Sequence, residues 1–459
     1  MSEYDQERVE RAIADEERAL ADRQPRSLDF VKRASQSLAG GVACSWHTAS
    51  PHTMYGATGS GSHLLDLDGN DLVDLHCGYG VMVAGHAHPK IVEAVRRRVG
   101  DGTHFALPVE DTVVVAEHLA ERFGLPLWRF TNSGTESTMD AVRIARAATG
   151  RDLIVKIEGC YHGSPDGLDF STWPDVETET SAGRLEAGPA DAPIPNPATV
   201  GIPVAFGEAL RLVSMNDLAG LERIFADEGD RIAGMILEPI PMNMGIVPPD
   251  DGYLAAVREL TRRHGAMLVF DEVKTGATIA WGGATQWSGV SPDLICLAKA
   301  IGGGLPIGAV GGTEEAMRVV VDGTMEQEGT FNGNPLSMAA ARATLTEVLT
   351  PDVYPRFDEL GRIVVSGVEA AIERTGIPAT IHAFGARGCV QFAHPAPRNF
   401  RDRAAIDDRV VYLEHLVQLN GGVYEPNGDP WTISVAHSEA DVGRYVENFE
   451  RFAELVAAG

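Results

Sequence analysis

Residues 291–312 read SPDLICLAKAIGGGLPIGAVGG. A predominantly apolar run ends on one cation, Lys299, and three consecutive glycines follow, Gly302 to Gly304. A charge removed from water is costly unless it is paired, neutralised or used chemically. An isolated lysine here would cap a buried strand and snorkel to solvent. The glycines permit close approach of backbone to a ligand. Whether Lys299 is more than a cap depends on its surroundings.

Similar short apolar runs recur on the N-terminal side: LWRFTN from Leu127, DLIVKIEG from Asp152, IAGMILEP from Ile232 and AMLVFDEV from Ala266. Helical stretches separate them, as in GYLAAVRELTRRHG, where Leu254, Val257 and Leu260 share one face. Strands alternating with helices predict an α/β fold with a mostly parallel sheet covered on both faces. Such sheets bind ligands at the carboxyl ends of their strands, where the polar tails of these runs lie. Before them, LLDLDGNDLVDL (64–75) alternates around an Asp-Gly-Asn turn and predicts a hairpin. The first 24 residues predict an exposed helix, not a signal peptide. Between about Gly167 and Gly207 a Pro-, Ala- and Gly-rich stretch without periodicity predicts a long lid or binding loop. After Leu349 a Pro-punctuated linker leads into helices and a strand-like WTISVAH (431–437). The expected division is an N-terminal segment, 1–75, joining a smaller α+β domain with 349–459, and a large domain, 76–348.

The 459 residues are 44% hydrophobic and 22% charged, ordinary for a globular chain. Thirty-eight basic against 65 acidic residues give a net charge of −27, which disfavours nucleic acid and anionic membrane surfaces as partners. No segment reaches the apolar length of a membrane span. Five cysteines without CxxC spacing suggest neither zinc nor a disulfide framework, and a reducing cytoplasm fits best.

Three motifs carry chemistry. FTNSGTES (130–137) takes a strand into a helix whose first N–H groups, at Gly134 and Thr135, would cradle an anion beside the hydroxyls of Ser133 and Thr135. Read alone, it is an ordinary helix cap. LVFDEVKTG (268–276) puts Asp271 at a strand end, where a carboxylate could bind a metal, act as a base or pair with a cationic ring nitrogen. The metal reading is weak, because no phosphate loop ending in Gly-Lys-Ser/Thr accompanies it. Lys299 in an apolar setting has a lowered pKa, which suits imine formation. Cradle, carboxylate and lysine together are what pyridoxal 5'-phosphate needs.

With these motifs the chain resembles the class III aminotransferases of the pyridoxal-phosphate fold type I superfamily, close to the glutamate-1-semialdehyde aminomutase group. The resemblance spans about Ser27 to Glu454. It rests on NSGTESTMDAVRIARAATGRD, EGCYHG, EPIPMNMGIVPP, FDEVKTG, DLICLAKAIGGGLPIGAVGG and GTFNGNPLSMAAA. It implies Lys299 as Schiff-base lysine and general acid/base, and Asp271 as partner of the pyridine nitrogen. Val273 and Tyr161 would lie against the two ring faces, with His162 beside Tyr161. Asn243 would meet the ring hydroxyl, Glu238 would support the Asp271 side, and Ser133, Gly134 and Thr135 would hold the phosphate. Thr330 would reach the phosphate of a neighbouring subunit, which implies a homodimer with shared sites.

Departures from the pattern bear on the substrate. The aminomutases carry a carboxylate-binding arginine where AGGVACSWHTAS has His47, after Trp46, and no arginine occurs between Gly40 and Gly59. An imidazole cannot replace a bidentate fork. Arg387 in FGARGCV is the arginine that could compensate. The arginine of a familiar GFR motif is also gone, since Gly276 to Thr278 read GAT. The expectation is an amine (omega) transaminase working by ping-pong between an amine donor and a carbonyl acceptor, with Trp46, His47 and Tyr79 as substrate walls. The alternatives are the semialdehyde aminomutase or another pyridoxal-phosphate isomerase such as a racemase, a β-amino-acid aminotransferase, and a catalytically silent binding protein.

Overall fold

The computed structural model describes residues 4–174 and 187–457. The N-terminal helix Gln6–Arg23 is less exposed than its composition predicts. Val9 and Leu20 are buried, and the helix packs along Asp408–Asn420. Its charged residues also reach that partner, Glu16 accepting from Asn420 Nδ2 at 2.7 Å and Glu17 from the Tyr412 hydroxyl at 2.8 Å. Next come β1 (Gly56–Ser60), β2 (His63–Asp66) and β3 (Asp71–Asp74), and the last two form the predicted hairpin, with His63 opposite Val73.

The large sheet contains β4 (Leu127–Thr131), β5 (Leu153–Ile157), β6 (Leu210–Val213), β7 (Ile232–Leu237), β8 (Met267–Asp271), β9 (Leu294–Ala298) and β10 (Gly308–Gly312). Their order is β4-β10-β9-β8-β7-β5-β6. The strands are parallel except β10, which runs antiparallel to both β4 and β9. Every residue of β5, β7, β9 and β10 is buried, which is why these segments read as continuous apolar runs instead of alternating ones. The helix Tyr253–Arg263 buries the predicted Leu254, Val257 and Leu260 stripe.

Beyond Leu349 lie β11 (Thr380–Phe384), β12 (Arg387–Gln391), β13 (Val423–Tyr424) and β14 (Trp431–Thr432). The strand expected over WTISVAH is only its first two residues, because the chain turns at Ser434, whose N–H donates to His437 Nδ1. From the C-terminal third, β13 pairs in parallel with β3, so the two ends of the chain share one sheet.

Of the predicted long loop, residues 175–186 lie outside the described residues. The described parts are tied down. Phe170 bridges Pro197, and the wholly buried Lys156 donates to the carbonyls of Cys160 (2.6 Å) and Phe170 (2.7 Å).

Candidate active site

Strand endings bring the site together. A cavity of about 390 Å³ is lined by Ser133, Gly134, Thr135, Tyr161, His162, Glu238, Asn243, Asp271, Val273 and Lys299. These lie after β4, β5, β7, β8 and β9, so five connections meet at one edge of the sheet.

At one end the helix Gly134–Thr149 begins. Ser133 caps it, accepting from the Glu136 N–H at 3.2 Å. The first N–H groups, those of Gly134 and Thr135, have no acceptor within the helix and leave an anion-binding terminus. The approach is tight: a Cβ on Gly163 (φ +80°) would lie 2.6 Å from Thr135 Cα, so a side chain there would fill the cradle.

At the other end stands Asp271, which is 4% exposed. Its Oδ2 lies 2.7 Å from His162 Nδ1, and its Oδ1 accepts from the Val273 N–H at 3.0 Å. The neighbouring Glu272 points to the opposite side, as strand alternation requires. Four donors saturate it there: the Thr275 and Thr285 hydroxyls and the Ala284 and Thr285 N–H groups. Glu272 therefore caps the helix Gly283–Ser288 and takes no part in the cavity. Beside Asp271, Glu238 accepts from Asn243 Nδ2 (2.9 Å), the Tyr161 N–H (3.3 Å) and the Met242 N–H (3.0 Å). Burial, and then the charge of Asp271, push the Glu238 carboxyl up.

Lys299 follows β9 directly, with φ of +52°. A non-glycine residue in the left-handed region costs on the order of 1–3 kcal/mol, and such residues cluster at functional sites. Burial, then the charge of Lys274, bring its ammonium down to about 8. The cavity edge beyond it is formed by Gly304 (φ +101°), Leu305, Pro306 and Ile307. Of the three consecutive glycines only Gly304 is among the described residues lining the cavity.

These residues fit pyridoxal phosphate. The structure offers an anion cradle, a lysine amine and a carboxylate lining one cavity. The buried His162 Nε2 has no protein partner among the described residues. Ser133, Gly134 and Thr135 could hold the phosphate, Asp271 the ring nitrogen and Lys299 the aldehyde carbon. Val273 and Tyr161 line the space between.

The proposed substrate residues lie further out. Trp46, on the short turn Ser45–His47, is 53% exposed, and its carbonyl accepts from the Tyr79 hydroxyl at 3.0 Å. Its ring packs edge-on to Tyr79 (5.1 Å) and Tyr161 (5.7 Å), forming an aromatic wall continuous with the cavity. His47 is exposed and does not line the cavity, because that short turn keeps it on the surface. Arg387 is wholly buried outside the lining, where its Nη1 donates to Thr432 Oγ1. Thr330 is exposed and does not line the cavity of its own chain. Sequence reading did not single out Lys274, which lines the cavity and is bound by Asp429. The signal was the cation inside FDEVKTG, next to Val273.

A profile for the aminotransferase class-III family matches residues 47–424. A glutamate-1-semialdehyde 2,1-aminomutase from Sorangium cellulosum is 38% identical over 435 residues, covering 93% of this chain and 96% of the relative. Among solved structures, an omega-transaminase from Sphaerobacter thermophilus superposes with a TM-score of 0.88 at 32% identity, covering 95% and 99% of the two chains. A glutamate-1-semialdehyde aminomutase from Pseudomonas aeruginosa in complex with PMP does so with a TM-score of 0.89 at 30% identity, covering 99% of both. The chain belongs to the class III aminotransferases and is a pyridoxal-phosphate-dependent enzyme of fold type I.

Proposed function

We propose that this enzyme is an amine transaminase, moving an amino group from an amine to a ketone or aldehyde in two half-reactions. One observation carries the reading: no arginine is among the described residues lining the cavity, whereas an aromatic wall of Trp46, Tyr79 and Tyr161 adjoins it. A pocket built around a substrate carboxylate presents a guanidinium fork. Here the outer surface suits an apolar or aromatic substituent.

When bound, pyridoxal phosphate supplies an aldehyde for the amine and a cationic ring that takes up an electron pair. The chain does the rest. Gly134 and Thr135 N–H groups, with the Ser133 and Thr135 hydroxyls, would hold the phosphate end. Asp271 would keep the ring nitrogen protonated, and His162, 2.7 Å away at Nδ1, keeps that carboxylate in place. Asn243, whose Nδ2 donates to Glu238 at 2.9 Å, would meet the ring hydroxyl. Lys299 would hold the aldehyde carbon. When free, its neutral Nζ would be the base that takes the proton from the donor carbon. Burial and the charge of Lys274 lower its ammonium to about 8, which raises the share of neutral amine near neutral pH. Thr330, exposed in its own chain, would complete the phosphate site of a partner subunit in a homodimer.

The second reading is the aminomutase, favoured by the Sorangium relative. A panel of amines, α-amino acids, β-amino acids and glutamate-1-semialdehyde separates them. The transaminase converts the cofactor spectrum with an amine and then stops until a carbonyl acceptor is added. An aminomutase turns over the semialdehyde with no acceptor. Failure of every amine to change the spectrum rejects the proposal.

A further inference from the structure

Lys274 is 7% exposed and, with Lys299, is one of the two lysines lining the cavity. Its Nζ lies 2.7 Å from both carboxylate oxygens of Asp429, a grip that a substrate carboxylate would receive in the same way. Asp429 comes from a distant part of the chain, the turn between β13 and β14. Its one backbone bond to the described residues there is from its own N–H to the Pro426 carbonyl. Among the described residues no second donor holds the Asp429 carboxylate. Glu272, one strand position from the site, has four. A carboxylate fixed by four donors is structural, whereas one held by a single ammonium at a cavity wall can be exchanged for another.

We propose that Lys274 is a carboxylate receptor whose occupant is built into the chain: Asp429 fills it and thereby selects substrates without a carboxylate near the reacting carbon. This rests on the amine transaminase reading and names the device behind it. The cavity has a cation where an acid could bind, and that cation is already neutralised. Removing the Asp429 charge leaves a buried ammonium without its partner, a costly state that an external anion relieves. Lys274 and Lys299 line the same cavity, so the receptor opens onto the space that holds the reacting group.

Calorimetry of benzoate binding to the holoenzyme, with benzamide as neutral control, tests this. Asp429→Asn is expected to bind benzoate at least tenfold more tightly than the wild type, about 1.4 kcal/mol. The Asp429→Asn/Lys274→Met double variant is expected to lose that gain, with benzamide affinity unchanged in all three proteins. A gain under threefold, or one that survives Lys274→Met, overturns the proposal. If Asp429→Asn does not fold, Asp429→Ser carries the same expectation. Benzoate binding needs no turnover, so its outcome is independent of the amine half-reaction that tests the function.

Discussion

Lys156 in β5 and Lys299 at the end of β9 are two lysines on one sheet, and burial brings both ammonium groups down to about 8. Their surroundings differ in what meets the nitrogen. Lys156 is wholly buried and spends its protons on two carbonyls, at Cys160 and Phe170, clamping the start of the long loop. Lys299 is partly exposed onto the cavity, in a left-handed backbone position, and makes no hydrogen bond to the described residues. A lowered pKa therefore does not mark the chemical lysine. An unspent nitrogen facing an anion cradle and a carboxylate does.

The sharpest way to break this comparison is to remove each lysine. Lys299→Ala is expected to lower amine turnover by about 10⁴-fold, through loss of the group that moves the proton. Steady-state rates on the best amine of the panel check this. Lys156→Met is expected to leave the rate within about threefold while costing about 1–3 kcal/mol of stability, since two buried carbonyls lose their donor. Urea unfolding and the same kinetics separate those outcomes, and a rate loss equal to that of Lys299→Ala would erase the distinction.

A smaller effect is shared. Each lysine has an ordinary value of 10.5 in the unfolded chain and about 8 when folded. Below pH 8 both states are protonated and the full cost of burying the charge is present. Between about pH 8 and 10.5 the unfolded chain holds a proton that the native chain has shed, so stability rises with pH. Above that window the penalty is gone. In the apoenzyme, replacing either lysine by Met is expected to flatten the rise by up to about 1.4 kcal/mol per pH unit. Unfolding curves at intervals across the window measure it. A slope unchanged in both variants would mean that neither lysine is depressed.

Local pattern made much of this legible. Apolar runs buried on both faces announce the strands, and Ser133 ahead of Gly134 announces the helix start that forms the cradle. The pairings that tune the site were not legible, because they join residues far apart in sequence: His162 with Asp271, and Lys274 with Asp429. Spacing alone also could not say which of Asp271 and Glu272 faces the cavity. That is set by the helix Gly283–Ser288, whose N-terminal N–H groups claim Glu272. His47 stood where the family pattern places an arginine, yet the short turn around it leaves it on the surface.

Borohydride reduction of the holoenzyme followed by peptide mass mapping tests the contrast between the lysines most directly, because it locks the cofactor onto whichever amine holds it. The expected result is the cofactor mass on the peptide containing Lys299, with Lys156 and Lys274 unmodified. A label on Lys156 or Lys274, with Lys299 unlabelled, would contradict it.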